Sequence, residues 1–131
     1  AFAVSQSKSP QAAADLIRLA NTDADPGVRG NAWLWLARTE STATEDAIDS
    51  ALRKESDDAV RRQAIFALSQ LPDVRATRAL ITVLEDQSRL SEDRKQAVFW
   101  LSQSKSAAAQ TYLERLLTAA GPATRRQATA R

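Results

Sequence analysis

Hydrophobic and polar positions along the chain follow a pattern that occurs more than once. Residues 62–70 read RQAIFALSQ, and residues 95–103 read KQAVFWLSQ. The residue at the centre of this segment, Phe or Leu, recurs at positions 2, 34, 66 and 99, with spacings of 32, 32 and 33 residues. Self-similarity at a nearly fixed period is typical of repeat architectures. The pattern therefore predicts tandem units of about 32 residues.

Each unit contains two segments with the periodicity of a helix. In the first segment, apolar residues three or four positions apart give the helix one face to bury. These pairs are Leu16/Leu19, Ile48/Leu52, Leu80/Leu84 and Leu113/Leu117. The periodicity predicts helices near 10–21, 26–39, 43–55, 57–71, 73–86, 91–104, 106–119 and 122–131, preceded by a short helix at 1–8.

Residues that start or stop helices stand at several of these boundaries. Asp25 followed by Pro26 is typical of a helix start. Thr42 with Glu45 three positions later predicts a capping box. The Gly-Pro pair at 121–122 predicts a break between the last two helices.

Helix pairs of this length cannot bury their apolar faces alone, so neighbouring pairs must stack. We expect an all-α fold, a right-handed α-solenoid of antiparallel helix pairs, formed by one domain over residues 1–131. Its units are near 9–39, 40–71, 72–104 and 105–131, so that three full repeats are joined by partial repeats at the ends. Neither end carries a dedicated polar cap, which leads us to expect a fragment of a longer protein, or self-association through the ends.

The composition excludes most catalytic chemistry. The chain has no histidine and no cysteine, which excludes Ser–His–Asp triads, Cys–His pairs and zinc sites built on imidazole or thiolate. Adjacent carboxylates remain, but most of them fall in the first turn of a predicted helix, where the helix dipole favours negative charge. We therefore expect no enzyme activity, no metal site and no cofactor. The four carboxylate pairs are Glu45-Asp46, Asp57-Asp58, Glu85-Asp86 and Glu92-Asp93, of which Glu85-Asp86 is expected in a solvated loop.

Charge and hydropathy limit the classes of partner. The net charge of +2 is too small to indicate a nucleic-acid-binding protein. No apolar run approaches the roughly 18 residues that a membrane span requires. A protein or an extended peptide is therefore the expected partner.

The pattern V-R-x-x-A-x-x-A-L is found at residues 60–68 and is matched in part at Val28-Arg29, Ala32 and Leu36. This pattern resembles a HEAT-like repeat of the phycobilisome-lyase type. It weakens around Arg94, where Asp93 takes the Val position and Trp100 the second Ala position. The resemblance implies an α-solenoid whose second helices line a concave face, which usually holds a protein partner.

One face of the second helices is predicted to bind this partner. At about 100° per residue, the residues opposite the buried stripe are polar or small, yet a Phe or Leu stands in the middle of them. Aromatic and basic side chains are common interface anchors, and amides can bond a peptide backbone. The candidate binding residues are Phe66, Phe99, Leu34, Asn31, Gln63, Gln96, Gln70, Gln103, Arg38, Arg62 and Lys95.

The same column of apolar residues has a second explanation. The side chains at 2, 34, 66 and 99 could instead pack between neighbouring second helices. The arginines at 29, 61, 94 and 125 are expected to bond neighbouring repeats rather than a ligand. The three tryptophans, Trp33, Trp35 and Trp100, are expected to pack in the core.

Two other functions stay open at this point. Repeat-built alkylpurine glycosylases combine Arg, Trp and Asp on a concave face, and Arg62, Lys95 and Arg126 would give a basic row for nucleic acid. The phycobilisome-lyase resemblance also suggests a helper subunit of a tetrapyrrole lyase. A peptide-binding or protein-binding scaffold is the leading hypothesis.

Overall fold

Helices are the only regular secondary structure in the described part of the chain. The computed structural model describes the backbone of residues 10–39 and 41–129 and the side chains of residues 11–39 and 41–119. Within these residues there are seven helices and no strand, so the predicted all-α class is confirmed. The helix predicted at 1–8, with Phe2, lies outside them. The helices are α1 (Pro10–Thr22), α2 (Pro26–Arg38), α3 (Thr44–Lys54), α4 (Asp58–Ser69), α5 (Asp73–Glu85), α6 (Ser91–Gln103) and α7 (Ala107–Thr129).

Aspartate caps begin two of the second helices. The Asp25 carboxylate accepts a hydrogen bond of 2.8 Å from the Gly27 N–H, and Pro26 occupies the first turn, as the sequence predicts. Asp57 caps α4 in the same way by accepting from two backbone N–H groups. The capping box predicted from Thr42 and Glu45 is wrong, because Ala43 precedes α3 and no side chain caps that helix. The Glu45 carboxylate binds an arginine of α5 instead.

The last helix corrects the predicted break at residues 121–122. The backbone of α7 stays helical from Ala107 to Thr129, so the separate helix predicted at 122–131 is wrong. Interior proline removes one hydrogen bond and crowds the preceding turn, yet α7 continues through it. The Gly-Pro pair alone therefore does not end this helix.

The helices form two layers that differ in how closely their members pack. The second helices are in extended contact, α2 with α4 and α4 with α6. Neighbouring first helices, α1, α3, α5 and α7, make far fewer contacts with one another. The second helices therefore form one continuous layer, and the first helices spread apart on the other side.

The core lies between the two layers. Most of the predicted stripes are buried there, including Ile48 with Leu52 and Leu80 with Leu84. The stripe on α7 is not, since Leu117 is 71% exposed. Because α7 continues in one direction, no described helix turns back to cover it. The large side chains that are fully enclosed in the core are Leu16, Trp33, Leu36, Ile48, Ile65, Leu80 and Leu101.

Arginines connect the second helices α2 and α4 to the next unit. Arg29 bonds both oxygens of the Glu55 carboxylate at 2.8 and 3.0 Å. Arg61 donates to the Glu55 carbonyl at 2.8 Å and lies 3.4 Å from the Asp93 carboxylate. The expectation that these arginines bond neighbouring repeats is thus confirmed for Arg29 and Arg61. Arg94 differs, because it donates to the Leu84 carbonyl within its own predicted unit.

Asp93 is the buried acid at the end of this arginine series. Its side chain is almost fully enclosed, and one carboxylate oxygen has no hydrogen-bond partner among the described residues. Burial raises the pKa of Asp93, and the nearby charge of Arg61 opposes that effect. The sequence showed only that an acid replaces the usual Val at this position. The structure shows that the acid faces the arginine of the preceding second helix.

Glu55 should make the stability of the fold depend on pH. The hydrogen bonds from Arg29 hold the pKa of Glu55 below its usual value of about 4.3. A lowered pKa stabilises the fold above the unfolded-state value, and this contribution is lost as the pH falls through the folded-state value. We expect Glu55→Gln to lower the melting temperature at pH 7 on the order of 5 °C, with the difference closing below about pH 4.

Thermal melts followed by circular dichroism between pH 7 and pH 3 would measure this difference. Glu92→Gln is the matched control, because Glu92 is exposed and its ion pair within the described chain is with the exposed Lys95. Its melting temperature should follow that of the unmodified protein at every pH. A Glu55→Gln deficit that is unchanged at pH 3 would contradict the assignment.

Candidate functional site

The predicted binding residues all belong to the second-helix layer. Asn31, Leu34 and Arg38 lie on α2, and Arg62, Gln63 and Phe66 lie on α4. Gln70 directly follows α4, and the remaining four lie on α6. Leu34, Gln63, Phe66 and Gln96 are half-buried. The exposed members are Asn31, Arg38, Arg62, Gln70, Lys95, Phe99 and Gln103.

An aromatic cluster joins α4 to α6. The Phe66 ring of α4 lies 4.8 Å, centroid to centroid, from the Trp100 ring of α6. Phe99 meets the same indole edge to face, also at 4.8 Å. Phe66 therefore packs between neighbouring second helices, whereas Phe99 keeps 48% of its surface exposed. The two explanations of the apolar column apply to different members of it.

The predicted amide residues differ in their surroundings. Gln63 lies so close to Gly30 of α2 that a Cβ atom at Gly30 would overlap with the Gln63 amide. Gln63 thus fills the space between α2 and α4. The Gln70 amide donates to the neighbouring Ser69 hydroxyl at 3.2 Å, and Gln103 is exposed. Gln70 and Gln103 are better placed than Gln63 to meet a partner.

Cationic side chains dominate the exposed part of this layer. Arg62 makes no salt bridge or side-chain hydrogen bond with any described residue. The Arg38 guanidinium stacks over the Trp35 ring at 4.8 Å. Lys95 lies 3.4 Å from Glu92, but both side chains are about three-quarters exposed, and pairs of this kind contribute little. The layer therefore presents these cations together with the exposed carboxylates of Asp58 and Glu92.

A cleft opens between the C-terminal ends of α4 and α6, with α5 as its floor. Its volume is about 240 Å³, and Gln70 and Gln103 are the predicted residues that it brings together. Trp100 also lines it, and the indole N–H of Trp100 is buried without a hydrogen-bond partner among the described residues. Lys105, in the segment after α6, adds a cation. The complete lining is Ser69, Gln70, Asp73, Ala76, Thr77, Leu80, Trp100, Leu101, Gln103, Ser104 and Lys105.

Sequence reasoning missed Trp100 and Lys105 as site residues. The core assignment is confirmed for Trp33, which is 0% exposed. Trp35 and Trp100 pack against the core but stay half-buried. A usable signal was present at Trp100, because the equivalent residue of α4 is the fully enclosed Ala67. An indole is too large for such a position and has to reach the edge of the layer.

A second groove lies on the side of the first helices. It measures about 380 Å³ and lies between α3 and α5. Three of its five charged side chains are already paired. Arg75 binds Glu45 at 2.6 Å and holds the pKa of that carboxyl below its usual value. Asp49 pairs with the buried Arg89. These ion pairs connect α3 to α5 and to the segment after it, which gives them a structural role.

Within residues 11–39 and 41–119, no group of three or more acidic side chains is placed to hold a metal ion. None of the described helices is both long and apolar enough to cross a membrane. Asp86 directly follows α5 in the predicted loop, where its half-buried carboxylate bonds Arg53 at 3.1 Å, whereas Glu85 is the last residue of α5.

Comparison with known proteins identifies the family. A protein-family model described as HEAT repeats matches residues 45–131, about two thirds of the chain. The match begins in the first turn of α3 and includes both helices that form the cleft. Comparisons with curated proteins and with solved structures give no match. With its paired helices and its family match over most of its length, this chain belongs to the HEAT repeat family.

Proposed function

We propose that this chain is a non-catalytic scaffold that binds an extended peptide or a protein segment along the layer of α2, α4 and α6. HEAT repeats commonly mediate protein–protein interaction. The observation that carries the proposal is Phe99, which is 48% exposed between exposed amides and cations on this layer. Large apolar side chains on a polar face are typical of contact sites.

The arrangement of the units supports an elongated binding surface. Close packing among the second helices and wide spacing among the first helices favour a curved stack with the second helices on the concave side. We propose a right-handed superhelix with a period of about 32 residues. Four second helices roughly 8–10 Å apart, counting the one predicted at 1–8, would cover about nine residues of an extended peptide, and α2, α4 and α6 alone would cover about five to six. The units near 9–39, 40–71, 72–104 and 105–131 are part of this proposal.

Phe99→Ala should separate binding from folding. Because Phe99 is half-exposed, its loss should change the melting temperature little and weaken peptide capture at least tenfold, as expected for an interface anchor. Capture is measured with a phage-displayed library of random nonapeptides and then by fluorescence anisotropy of the enriched peptide. Leu117→Ala is the control, because Leu117 is 71% exposed but lies on α7. Equal losses in both variants, or no loss in Phe99→Ala, would contradict the proposal.

Replacing Phe66 is expected to affect folding as well as binding. Its ring packs on Trp100, so Phe66→Ala removes a contact between α4 and α6 and should lower stability as well as binding. A binding loss in Phe66→Ala alone would therefore be no evidence for a surface role. This is why Phe99 carries the test.

Nucleic acid is the second candidate partner. Exposed cations favour it, because cations of this kind bind phosphates. They are Arg38, Lys95 and Arg62, of which Arg62 has no side-chain partner in the described part of the chain. Half-exposed Phe99 and the exposed amides favour a peptide more. The phycobilisome-lyase subtype, the tetrapyrrole-lyase helper function and self-association through the ends stay predictions; exposed Leu116 and Leu117 on α7 support the last of them.

A further inference from the structure

The second helices α4 and α6 pack through a contact that follows the repeat of the sequence. Phe66 is the central residue of the repeated segment on α4, and Trp100 directly follows Phe99, the central residue on α6. The Phe66 and Trp100 rings lie 4.8 Å apart, centroid to centroid. Aromatic rings at this separation stabilise a junction beyond the surface that they bury. The central residue of one second helix therefore contacts the residue that follows the centre of the next.

The junction of α2 with α4 has smaller side chains at the same two positions. Leu34 is the central residue of α2, and the equivalent position on α4 is Ala67, which is fully enclosed. These two helices are also in closer contact than α4 and α6, and the Gln63 amide lies where a Cβ atom of Gly30 would be. Side-chain size and helix spacing thus vary together, with Leu and Ala at the close junction and Phe and Trp at the wide one.

The sequence supplies a second pair of Phe and Trp at these positions. Trp35 has the same place on α2 as Trp100 has on α6, directly after the central residue. Trp35 is half-buried and stacks with Arg38. The residue that the repeat pairs with Trp35 stands one period, 32 residues, before Leu34, and it is Phe2. A Phe again precedes the helix that carries a Trp.

The connection to α1 has the length that a packed N-terminal segment requires. Residues 5–9 read SQSKS, which is identical to residues 102–106. The copy at 102–106 ends α6 and connects it to α7, which begins at Ala107. In the same way, α1 begins at Pro10, directly after the copy at 5–9. The connection that joins a second helix to the following first helix is therefore present before α1 as well.

We propose that the edge of α2 at Trp35 is a docking site for residues 1–6 of this chain. The Phe2 ring packs on the Trp35 indole as Phe66 packs on Trp100, at the spacing of the wide junction. The docked segment adds a fourth member to the layer of α2, α4 and α6. The inference does not depend on the proposed function, although the added member sets the length of peptide that the layer can hold.

Nuclear Overhauser effects in the full chain test the contact directly. We expect a cross-peak between the Phe2 ring and the Trp35 indole, as between Phe66 and Trp100. A mixture of isotope-labelled and unlabelled chains distinguishes contacts within one chain from contacts between two chains. A Phe2–Trp35 cross-peak that arises between chains would overturn the proposal in favour of a second copy. The absence of this cross-peak from both spectra would overturn the docking site altogether.

Variants measure what the contact contributes to stability. Phe2→Ala should lower the melting temperature on the order of 5 °C, because an aromatic contact is lost. It should also shift the indole N–H signal of Trp35 and leave that of Trp33 in place. Gln6→Ala is the matched control, because Gln6 is equivalent to the exposed Gln103 and should change the melting temperature by about 1 °C or less. Equal losses in the two variants would show that the segment does not dock through Phe2.

A double-variant cycle assigns the loss to this pair of residues. In the Trp35→Ala background, Phe2→Ala should lower the melting temperature by less than half of its effect in the unmodified chain, because the contact is already gone. Equal effects of Phe2→Ala in the two backgrounds would show that Phe2 packs on another surface, and that result would overturn the inference.

Discussion

Arg61→Gln is expected to lower the free energy of unfolding by about 3–5 kcal/mol, the usual cost of leaving a buried charge without its partner. Arg61 is 7% exposed and lies 3.4 Å from the carboxylate of Asp93, which is also buried. The exchange also removes a hydrogen bond to the Glu55 carbonyl, at the junction of two units. Chemical denaturation at pH 7 would measure the loss.

The neighbouring arginine supplies the control. Arg62 is exposed and has no side-chain partner in the described chain, so Arg62→Gln should change the same free energy by about 0.5 kcal/mol or less. Adding Asp93→Asn to Arg61→Gln should recover part of the lost stability, because it removes the buried carboxylate that has lost Arg61 and keeps only the weaker influence of Arg89. Equal losses in the two arginine variants, or no recovery in the double variant, would show that the buried pair does not connect these units.

Trp33→Ala is expected to destabilise the fold by about 3–5 kcal/mol, the range for removing a large aromatic side chain from a core. Trp33 is fully enclosed between the two helix layers, so its removal leaves a cavity that the rigid helices cannot fill. Thermal and chemical denaturation of the variant would measure the effect.

Trp35, two residues further along α2, is the matched control. It is half-buried and stacks with Arg38, so Trp35→Ala should cost clearly less than Trp33→Ala. The comparison keeps the residue type and the helix constant and changes only the burial. A larger loss of stability in Trp35→Ala than in Trp33→Ala would show that α2 turns its Trp35 face, and not its Trp33 face, toward the core.

Hydrophobic periodicity was enough to predict most of the helices. The stripes at Ile48/Leu52 and Leu80/Leu84 are buried as expected, because each first helix has only one apolar face to turn toward the second-helix layer. The predicted helix start at Asp25-Pro26 is confirmed. It could be predicted because a helix cap depends on residues that are adjacent in sequence. Local signals alone were misleading at residues 121–122, where α7 continues.

The candidate site could be predicted only in part. Helical geometry correctly placed Phe66 and Phe99 on one layer, but it could not show that the Trp100 indole lies between them in contact with both rings. Nor could it show that Gln63 covers Gly30, because that contact depends on how closely α2 approaches α4. Contacts between helices of different units depend on the distances at which the helices pack, and the repeat period of the sequence does not predict those distances.

The buried acid at Asp93 shows the same limit of local pattern. In the sequence it is an exception to the repeat. In the structure it contacts Arg61, which belongs to the preceding unit. An irregular residue in one repeat can therefore be matched to a regular residue in another. Its burial also raises the pKa of Asp93, which no composition argument would reveal.

The central claim is that the second-helix layer binds a peptide. The most direct measurement is a ¹⁵N-NMR titration with the peptide enriched from the random nonapeptide library, following the three tryptophan indole N–H signals and the backbone amides. We predict that the Trp100 indole signal and the amides near Gln70 and Gln103 shift on binding, while the Trp33 indole signal does not move. Shifts concentrated on the groove between α3 and α5, with an unchanged Trp100 signal, would contradict the account.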